Sequence, residues 1–459
     1  VSAPDLSAIV KAYDVRGVVP DQLDEDVARA LGAAFVDVLQ SPKILTAHDM
    51  RESGPSLARA FAEGAAVRGA DVVETGLAST DMLYFAAGSL DLPGAMFTAS
   101  HNPAQYNGIK LCRAGAVPVG QETGLAEIRG RAERYLHHGL PAFDRPQGAF
   151  STAELLPDYA RYLRELVDLS AIRPLKVVVD AGNGMAGFTV PGVLGGGVLD
   201  ALPLEIVPLY FELDGSFPNH EANPLDPANL VDLQKRVVAE SADIGLAFDG
   251  DADRCFFVDA GGAAVSPSAV TALVASRELA KAPGSNVIYN LITSRSVPEV
   301  IREHGGEPVR TRVGHSFIKA EMARTDAVFG GEHSAHYYFR DFWRADTGML
   351  AALHVLAALG EQDGSLAELT AEFNRYSASG EINSTVADQA ARSAAVRDHF
   401  ADETSSVDEL DGLTIDLDDG SWLNVRASNT EPLLRLNVEA ATPERMAELR
   451  DQALAVIRG

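Results

Sequence analysis

Apolar and polar positions along this chain alternate between two periods. Short apolar runs such as Lys43–Ala47, Gly94–Phe97, Lys176–Asp180, Ile244–Phe248 and Val287–Tyr289 stop at glycine or polar turns, the pattern of buried strands. Shorter runs at Val72-Val73 and Ile206-Val207 predict two more. Between them, apolar residues recur every three or four positions over Asp26–Leu39, about Ser56–Arg68, a stretch after Ser79, Leu155–Leu166, about Ser296–His304, Ile318–Arg324 and Thr347–Leu359. These predict helices, and strands alternating with helices of this length predict parallel or mixed α/β sheets.

From Ser377 the pattern changes. Glu381–Val386 predicts a strand and Gln389–Phe400 a helix, while Leu413–Val425 alternates around Asp419-Gly420, a hairpin turn pair. Leu433–Val438 then predicts a strand and Pro443–Ile457 a closing helix. With a Pro- and Gly-bearing boundary before residue 148, the chain divides into α/β domains over 1–148, 149–255 and 256–374 and an α+β domain over 375–459. Length alone suggests about three domains.

Composition narrows the function classes. Apolar content of 46% and charged content of 22% are those of a soluble globular protein. A net charge of -27 speaks against nucleic acid or an anionic membrane as partner, so an anionic ligand would need locally concentrated Lys and Arg. No apolar run approaches the ~18 residues of a membrane span, and no signal-peptide pattern opens the chain, so cytoplasm is the expected location. Cys112 and Cys255 have no metal-ligand spacing and are expected to be buried thiols.

Four stretches carry candidate chemistry. Thr98-Ala99-Ser100-His101-Asn102-Pro103 follows a strand, and Pro103 biases Asn102 away from the helical region. Either this is ordinary loop composition, or the Ser100 hydroxyl stands on a tight loop, exposed enough to react. Asp249-Gly250-Asp251-Ala252-Asp253-Arg254 places carboxylates at every second position, which in an extended loop turns them to one side, suited to a hard cation such as Mg²⁺. An EF-hand is excluded, because Arg254 and Ala260 stand where Gly and Glu are required. In Gly330-Gly331-Glu332-His333-Ser334-Ala335-His336, Glu332 and Ser334 suit adjacent sugar hydroxyls, or the stretch is a plain polar loop. Arg426-Ala427-Ser428-Asn429-Thr430-Glu431-Pro432 offers more donors than a hairpin turn needs, a plausible phosphate cradle. Arg16, Lys110, Arg254 and His315 add basic character nearby in sequence.

A fifth stretch, Gly182-Asn183-Gly184-Met185-Ala186-Gly187 after a strand, matches a dinucleotide fingerprint. The acidic residue belonging at the end of the following strand is missing, since Glu205 precedes Ile206-Val207. The dinucleotide reading is therefore disfavoured.

Taken in order, the four stretches resemble the α-D-phosphohexomutase family over essentially the whole chain. Tyr13-Asp14-Val15-Arg16-Gly17 and Gly314-His315-Ser316-Phe317-Ile318-Lys319 resemble its bacterial phosphomannomutase/phosphoglucomutase branch. The resemblance implies four domains around a central cleft and an intramolecular phosphotransferase, an isomerase interconverting hexose 1-phosphate and hexose 6-phosphate of mannose or glucose. It implies a phosphate on Ser100 and one Mg²⁺ held by Asp249, Asp251, Asp253 and a phosphoryl oxygen on Ser100. A hexose 1,6-bisphosphate would be the intermediate and activator. Arg16, His101, Lys110, Arg254 and His315 would assist transfer, with Lys110 and His101 or His315 as general base or acid. Tyr13, Glu332, Ser334, His336, Arg426, Ser428, Asn429 and Thr430 would bind the phosphosugar, in a monomer or homodimer. Two departures stand out: Ile292 where a lysine is frequent, and Ala335 where glycine is usual.

Four rivals are weighed. Phosphoglucosamine mutase belongs to the same family, although its frequent Gln after the sugar-loop glutamate is missing here. An aspartyl-phosphate phosphatase would use Asp249 as nucleophile and Asp251 as acid/base, yet Asp253 and Arg254 crowd the motif. A serine hydrolase lacks its G-x-S-x-G, and His101, adjacent in sequence, is not expected to turn back onto Ser100. A non-catalytic sugar-phosphate binder would show no turnover.

Overall fold

The computed structural model describes residues 5–428 and 433–459, apart from the side chain of His315. It divides into two bodies, one formed by residues up to 265 with 334–367, the other by 266–333 with 368–459.

In the first body, strands β1 (Val15–Val18), β2 (Lys43–His48), β3 (Asp71–Leu77), β4 (Gly94–Phe97), β5 (Tyr106–Cys112) and β6 (Phe150–Thr152) form one sheet in the order β1-β5-β4-β2-β3-β6. Strands β4, β2, β3 and β6 run parallel, whereas β5 is antiparallel to both β4 and β1. Polar Asn107 and Lys110 kept β5 from reading as a strand in the sequence. Gly108 lets it pack, since a Cβ there would lie 2.4 Å from the Val15 carbonyl oxygen and 2.8 Å from that of Thr98. The helices Glu25–Leu39 and Gly54–Val67 cover one face, with Phe35, Phe61 and Phe97 in the core at centroid separations of 5.6 Å.

A second sheet of the same body orders β7 (Leu175–Asp180), β8 (Leu204–Leu209), β9 (Ile244–Phe248) and β10 (Cys255–Asp259) as β10-β9-β7-β8. Phe248 pairs with Cys255, so residues 249–254 are the connection of an antiparallel hairpin. The glycine-rich turn after β7 braces that connection. A Cβ on Gly184 would sit 2.7 Å from the Gly250 carbonyl oxygen, to which the Met185 amide donates at 2.9 Å. Close backbone packing therefore explains the glycine that suggested a dinucleotide.

Strands β14 (Tyr337–Phe339) and β15 (Ala345–Asp346) and the wholly buried helix Gly348–Gly360 also belong to the first body. Thr347, the cap of that helix, donates its hydroxyl to Asp81 at 2.7 Å; Tyr159 does so at 2.6 Å, and Ser79 also donates. Asp81 is fully buried with no cation bonded to it among the described residues, and burial pushes its carboxyl up to about 6 despite the three hydroxyls. A carboxyl raised from 3.8 in this way contributes full stability below pH 3.8 and loses it as pH rises to about 6. Asp81→Asn removes that dependence: between pH 4 and 7 the wild type is expected to lose roughly 2 kcal/mol relative to the variant, read from urea melts of both proteins. Parallel pH profiles would contradict it.

In the second body, β11 (Asn286–Asn290) lies between β12 (Glu307–Thr311) and β13 (Phe329–Gly331), all parallel. An antiparallel sheet orders β16 (Ser377–Ala378), β18 (Thr404–Asp408), β19 (Leu413–Leu417), β20 (Trp422–Ala427) and β21 (Leu433–Ala440) as β16-β21-β20-β19-β18, with β17 (Ile382–Thr385) also on β21. The helices Gln389–His399 and Pro443–Arg458 complete its core through Val396, Leu449 and Ala453 against Leu423 and Leu436. Mixed and parallel α/β sheets followed by an antiparallel sheet with helices are the fold class expected. The sequence reading left out β12 and the helices Val231–Glu240 and Pro267–Lys281. Among the described residues, no helix is long and apolar enough to cross a membrane.

Candidate active site

Ser100 follows β4 in the left-handed conformation, φ 51°, which L-residues seldom adopt. Its amide donates to Thr98 Oγ1 at 2.9 Å and its hydroxyl to Asp249 Oδ2 at 3.0 Å. The residue stands on a tight loop but is only 5% exposed, more enclosed than expected from sequence. His101 Nδ1 lies 3.1 Å from Ser100 Oγ and 2.5 Å from Arg254 Nη2. The neighbouring histidine thus does turn onto the serine, because the left-handed turn redirects the chain between them. Burial, with Arg254 and Arg16 nearby, pushes its pKa down to about 3, so the ring is neutral and its Nδ1 accepts from Arg254. Arg16 Nη1 donates to Asn102 Oδ1 at 2.6 Å and ties β1 to the same loop. Tyr13 is half-buried next to the Gly120 turn.

The aspartate hairpin meets this loop at Gly250, where a Cβ would lie 2.4 Å from the Ser100 carbonyl oxygen. Asp249, Asp251 and Asp253 are all buried, and one carboxylate oxygen from each lies within 4.8 Å of the others. They do face one side, but through a turn in which Ala252 is left-handed at φ 59° and its amide donates to the Asp249 carbonyl at 3.0 Å, not through the extended loop expected. Lys110 Nζ, projecting from β5, donates to Asp251 at 2.7 Å and Asp253 at 2.6 Å; Arg254 Nε donates to Asp249 at 2.9 Å and Thr80 Oγ1 to Asp251 at 2.6 Å. Burial and its two acidic neighbours push the Asp249 carboxyl well up even beside Arg254. Burial would raise Asp251 and Asp253 as well, yet Lys110 holds both below the usual carboxylate range. Burial opposes the charge on Lys110, but Asp251 and Asp253 outweigh it and hold the amine well above its ordinary value, as an ammonium.

A divalent cation fits this cluster. Asp251 Oδ1 and Asp253 Oδ1 are buried and accept no hydrogen bond among the described residues, a costly state for carboxylate oxygens. Three carboxylates against Lys110 and Arg254 leave one net negative charge, and the donors are the hard oxygens that Mg²⁺ takes.

Beside Asp253, His336 and Asp346 bring ligand atoms within 4.8 Å of it. Ser334 Oγ lies 3.0 Å from His336 Nδ1. Ala335 between them has φ 63°, the backbone state that glycine takes freely, which explains why glycine is usual there.

Other expected residues lie in the second body. Glu332 is buried, its Oε1 accepting from Asn290 Nδ2 at 3.1 Å and the Gly314 amide at 3.3 Å. His315 opens the helix His315–Thr325. Arg426 is paired with Glu381 at 3.1 Å and Asp411 at 3.7 Å, and the Ser428 amide donates to Leu433. Asn429 and Thr430 lie outside the described residues. Ile292 is buried just beyond β11.

Comparison with known proteins bears on this arrangement. Residues 7–137, 157–262 and 266–376 match phosphoglucomutase/phosphomannomutase alpha/beta/alpha domains I, II and III, and residues 381–456 match the C-terminal domain of the same family. The chain belongs to the phosphoglucomutase/phosphomannomutase family. It is 40% identical to "Phosphohexose mutases" of Xanthomonas campestris pv. campestris, over 98% of this chain and 99% of that one. It is 38% identical to a phosphomannomutase of Salmonella montevideo, over 97% of each. A crystal structure of a phosphoglucomutase/phosphomannomutase family protein from Burkholderia thailandensis superposes with a TM-score of 0.87 at 32% identity, covering 98% of this chain and 97% of that one.

Sequence reasoning about this family member missed Arg51, Thr80 and Asp346. Each comes from a strand end or helix start remote in sequence from the residues it serves. Asp49-Met50-Arg51 directly after β2 was the one available signal, a charged pair where an apolar strand ends.

Proposed function

We propose that this phosphoglucomutase/phosphomannomutase family member is a phosphohexose mutase that interconverts hexose 1-phosphate and hexose 6-phosphate, of mannose or glucose, through a phosphate carried on Ser100. The observation that supports it is the hydroxyl of a left-handed, buried serine 3.0 Å from a carboxylate of a three-aspartate cluster. Asp249, Asp251 and Asp253 would hold Mg²⁺, which when bound supplies charge neutralisation to a departing phosphoryl group.

The chain's own residues do the rest. Arg254 and Arg16 brace the serine loop and bring positive charge towards it. Lys110, kept as an ammonium, is suited to donating a proton or stabilising negative charge, and not to abstracting a proton near neutrality. Neutral His101 packs its Nδ1 3.1 Å from the serine hydroxyl while accepting from Arg254. Glu332, Ser334 and His336 are assigned to sugar hydroxyls, with Tyr13 as a further contact, the turn carrying Arg426, Ser428, Asn429 and Thr430 to the substrate's existing phosphate, and His315 to general acid or base. Phospho-Ser100 transfers to the free hydroxyl, giving a 1,6-bisphosphate, and the reoriented bisphosphate returns its other phosphoryl group to Ser100. The units 1–148, 149–255, 256–374 and 375–459 would each supply one of the four loops.

Purified protein with Mg²⁺ and glucose 1,6-bisphosphate is expected to convert mannose 1-phosphate or glucose 1-phosphate to the 6-phosphate in a coupled assay, with glucosamine 1-phosphate slower. No turnover of any of the three, or phosphate trapped on Asp249 instead of Ser100, would refute the assignment.

A further inference from the structure

We infer that Arg51 is a positioning residue that holds the Ser100 loop in its reactive conformation. Its guanidinium gathers four main-chain carbonyls of that loop: Nη2 donates to Ser100 O at 3.0 Å and Asn102 O at 2.6 Å, and Nη1 to Pro103 O at 3.0 Å and Tyr106 O at 2.8 Å. One planar fork thus spans the whole turn from the nucleophile to the start of β5.

The fork is itself held on every side. Asp49 Oδ1 accepts from the Arg51 amide at 2.9 Å, and Asp49 Oδ2 lies 3.4 Å from Arg51 Nε. The Phe217 ring lies under the guanidinium at 5.1 Å, and Gly215 packs so closely that a Cβ there would be 2.7 Å from Arg51 Cα. Arg51 is 2% exposed. A guanidinium so enclosed keeps one geometry, and so do the carbonyls bound to it.

That geometry bears on reactivity because Ser100 is left-handed. An isolated serine would relax to negative φ, and its carbonyl and hydroxyl would swing away together. The bond from Arg51 to Ser100 O opposes this rotation, and Gly250 leaves room for the carbonyl on the other side. Oγ therefore stays directed at Asp249. Lysine, a point donor on a flexible stem, cannot bridge four carbonyls in one plane.

The inference rests on Ser100 being the phosphoryl carrier, and its test separates the two. Arg51→Lys is expected to lower kcat about tenfold to a hundredfold with KM for the hexose 1-phosphate within about twofold, because the sugar contacts are untouched. Arg51→Gly is expected to regain part of its turnover in low-millimolar guanidinium chloride, which a merely structural defect would not do. A folded Arg51→Lys protein with kcat within about twofold of wild type overturns the inference. Should that variant not fold by circular dichroism, Asp49→Asn is expected to lower kcat about threefold to tenfold, and unchanged turnover there overturns it equally. Wild type without turnover or phosphate on Ser100 removes the functional reading alone. The positioning role is then decided by amide exchange over residues 98–106, expected about tenfold faster in Arg51→Lys and overturned by equal rates.

Discussion

Ser100→Ala is expected to abolish mutase turnover, by roughly three orders of magnitude or more, while the protein stays folded. The side chain removed is small, and its hydrogen bond to Asp249 can be lost because that carboxylate keeps Arg254 Nε at 2.9 Å. Alanine at φ 51° is no more strained than serine, and the carbonyl held by Arg51 is unchanged. A stability change of about 1 kcal/mol follows from one lost hydrogen bond. Without the oxygen there is nothing to carry phosphate between the two ends of the sugar. The decisive measurement pairs the coupled assay with intact mass after incubation with glucose 1,6-bisphosphate. Wild type should gain one phosphoryl group, located on the peptide containing Ser100, and the variant none. A variant that turns over at the wild-type rate would place the phosphate elsewhere.

Lys110→Met carries the largest expected effect on stability. Lys110 Nζ is bonded to Asp251 and Asp253, and both carboxylates are essentially inaccessible to water. Methionine fills the volume but leaves three buried carboxylates facing Arg254 alone, a loss of roughly 3–5 kcal/mol for breaking a buried pair. Lys110 holds Asp251 and Asp253 below the usual carboxylate range, so its contribution is complete above that range and fades as pH falls through it. The difference between variant and wild type should therefore shrink in acid. Millimolar MgCl2 should stabilise Lys110→Met more than wild type, since the cation relieves a larger excess of negative charge. Urea melts with and without MgCl2 at neutral pH and in acid read both effects. A variant as stable as wild type without Mg²⁺ would contradict the ion-pair account.

Much of this could be read along the chain. The helices Glu25–Leu39, Gly348–Gly360 and Pro443–Arg458 and the hairpin of β19 and β20 declare themselves through apolar period and turn residues. The aspartates were legible because alternate carboxylates after an apolar strand have few other uses. Strand β5 was not, because its polar residues serve the site instead of the core, as Lys110 does. The glycine-rich turn after β7 misled in the opposite way: its glycines serve packing against Gly250, which local composition cannot distinguish from a nucleotide loop.

By itself the sequence determined most of the element order, the fold class and the family, since each depends on residues within a few positions of one another. Tertiary structure alone decided that Ser100 is buried and left-handed, that His101 is neutral, that Lys110 neutralises two aspartates, and that Arg51 grips the serine loop. These rest on contacts between residues 49 and 149 positions apart, such as Arg51 with Ser100 and Ser100 with Asp249. Hydrogen bonds over such separations leave no period in the chain and exist only once the sheets have packed.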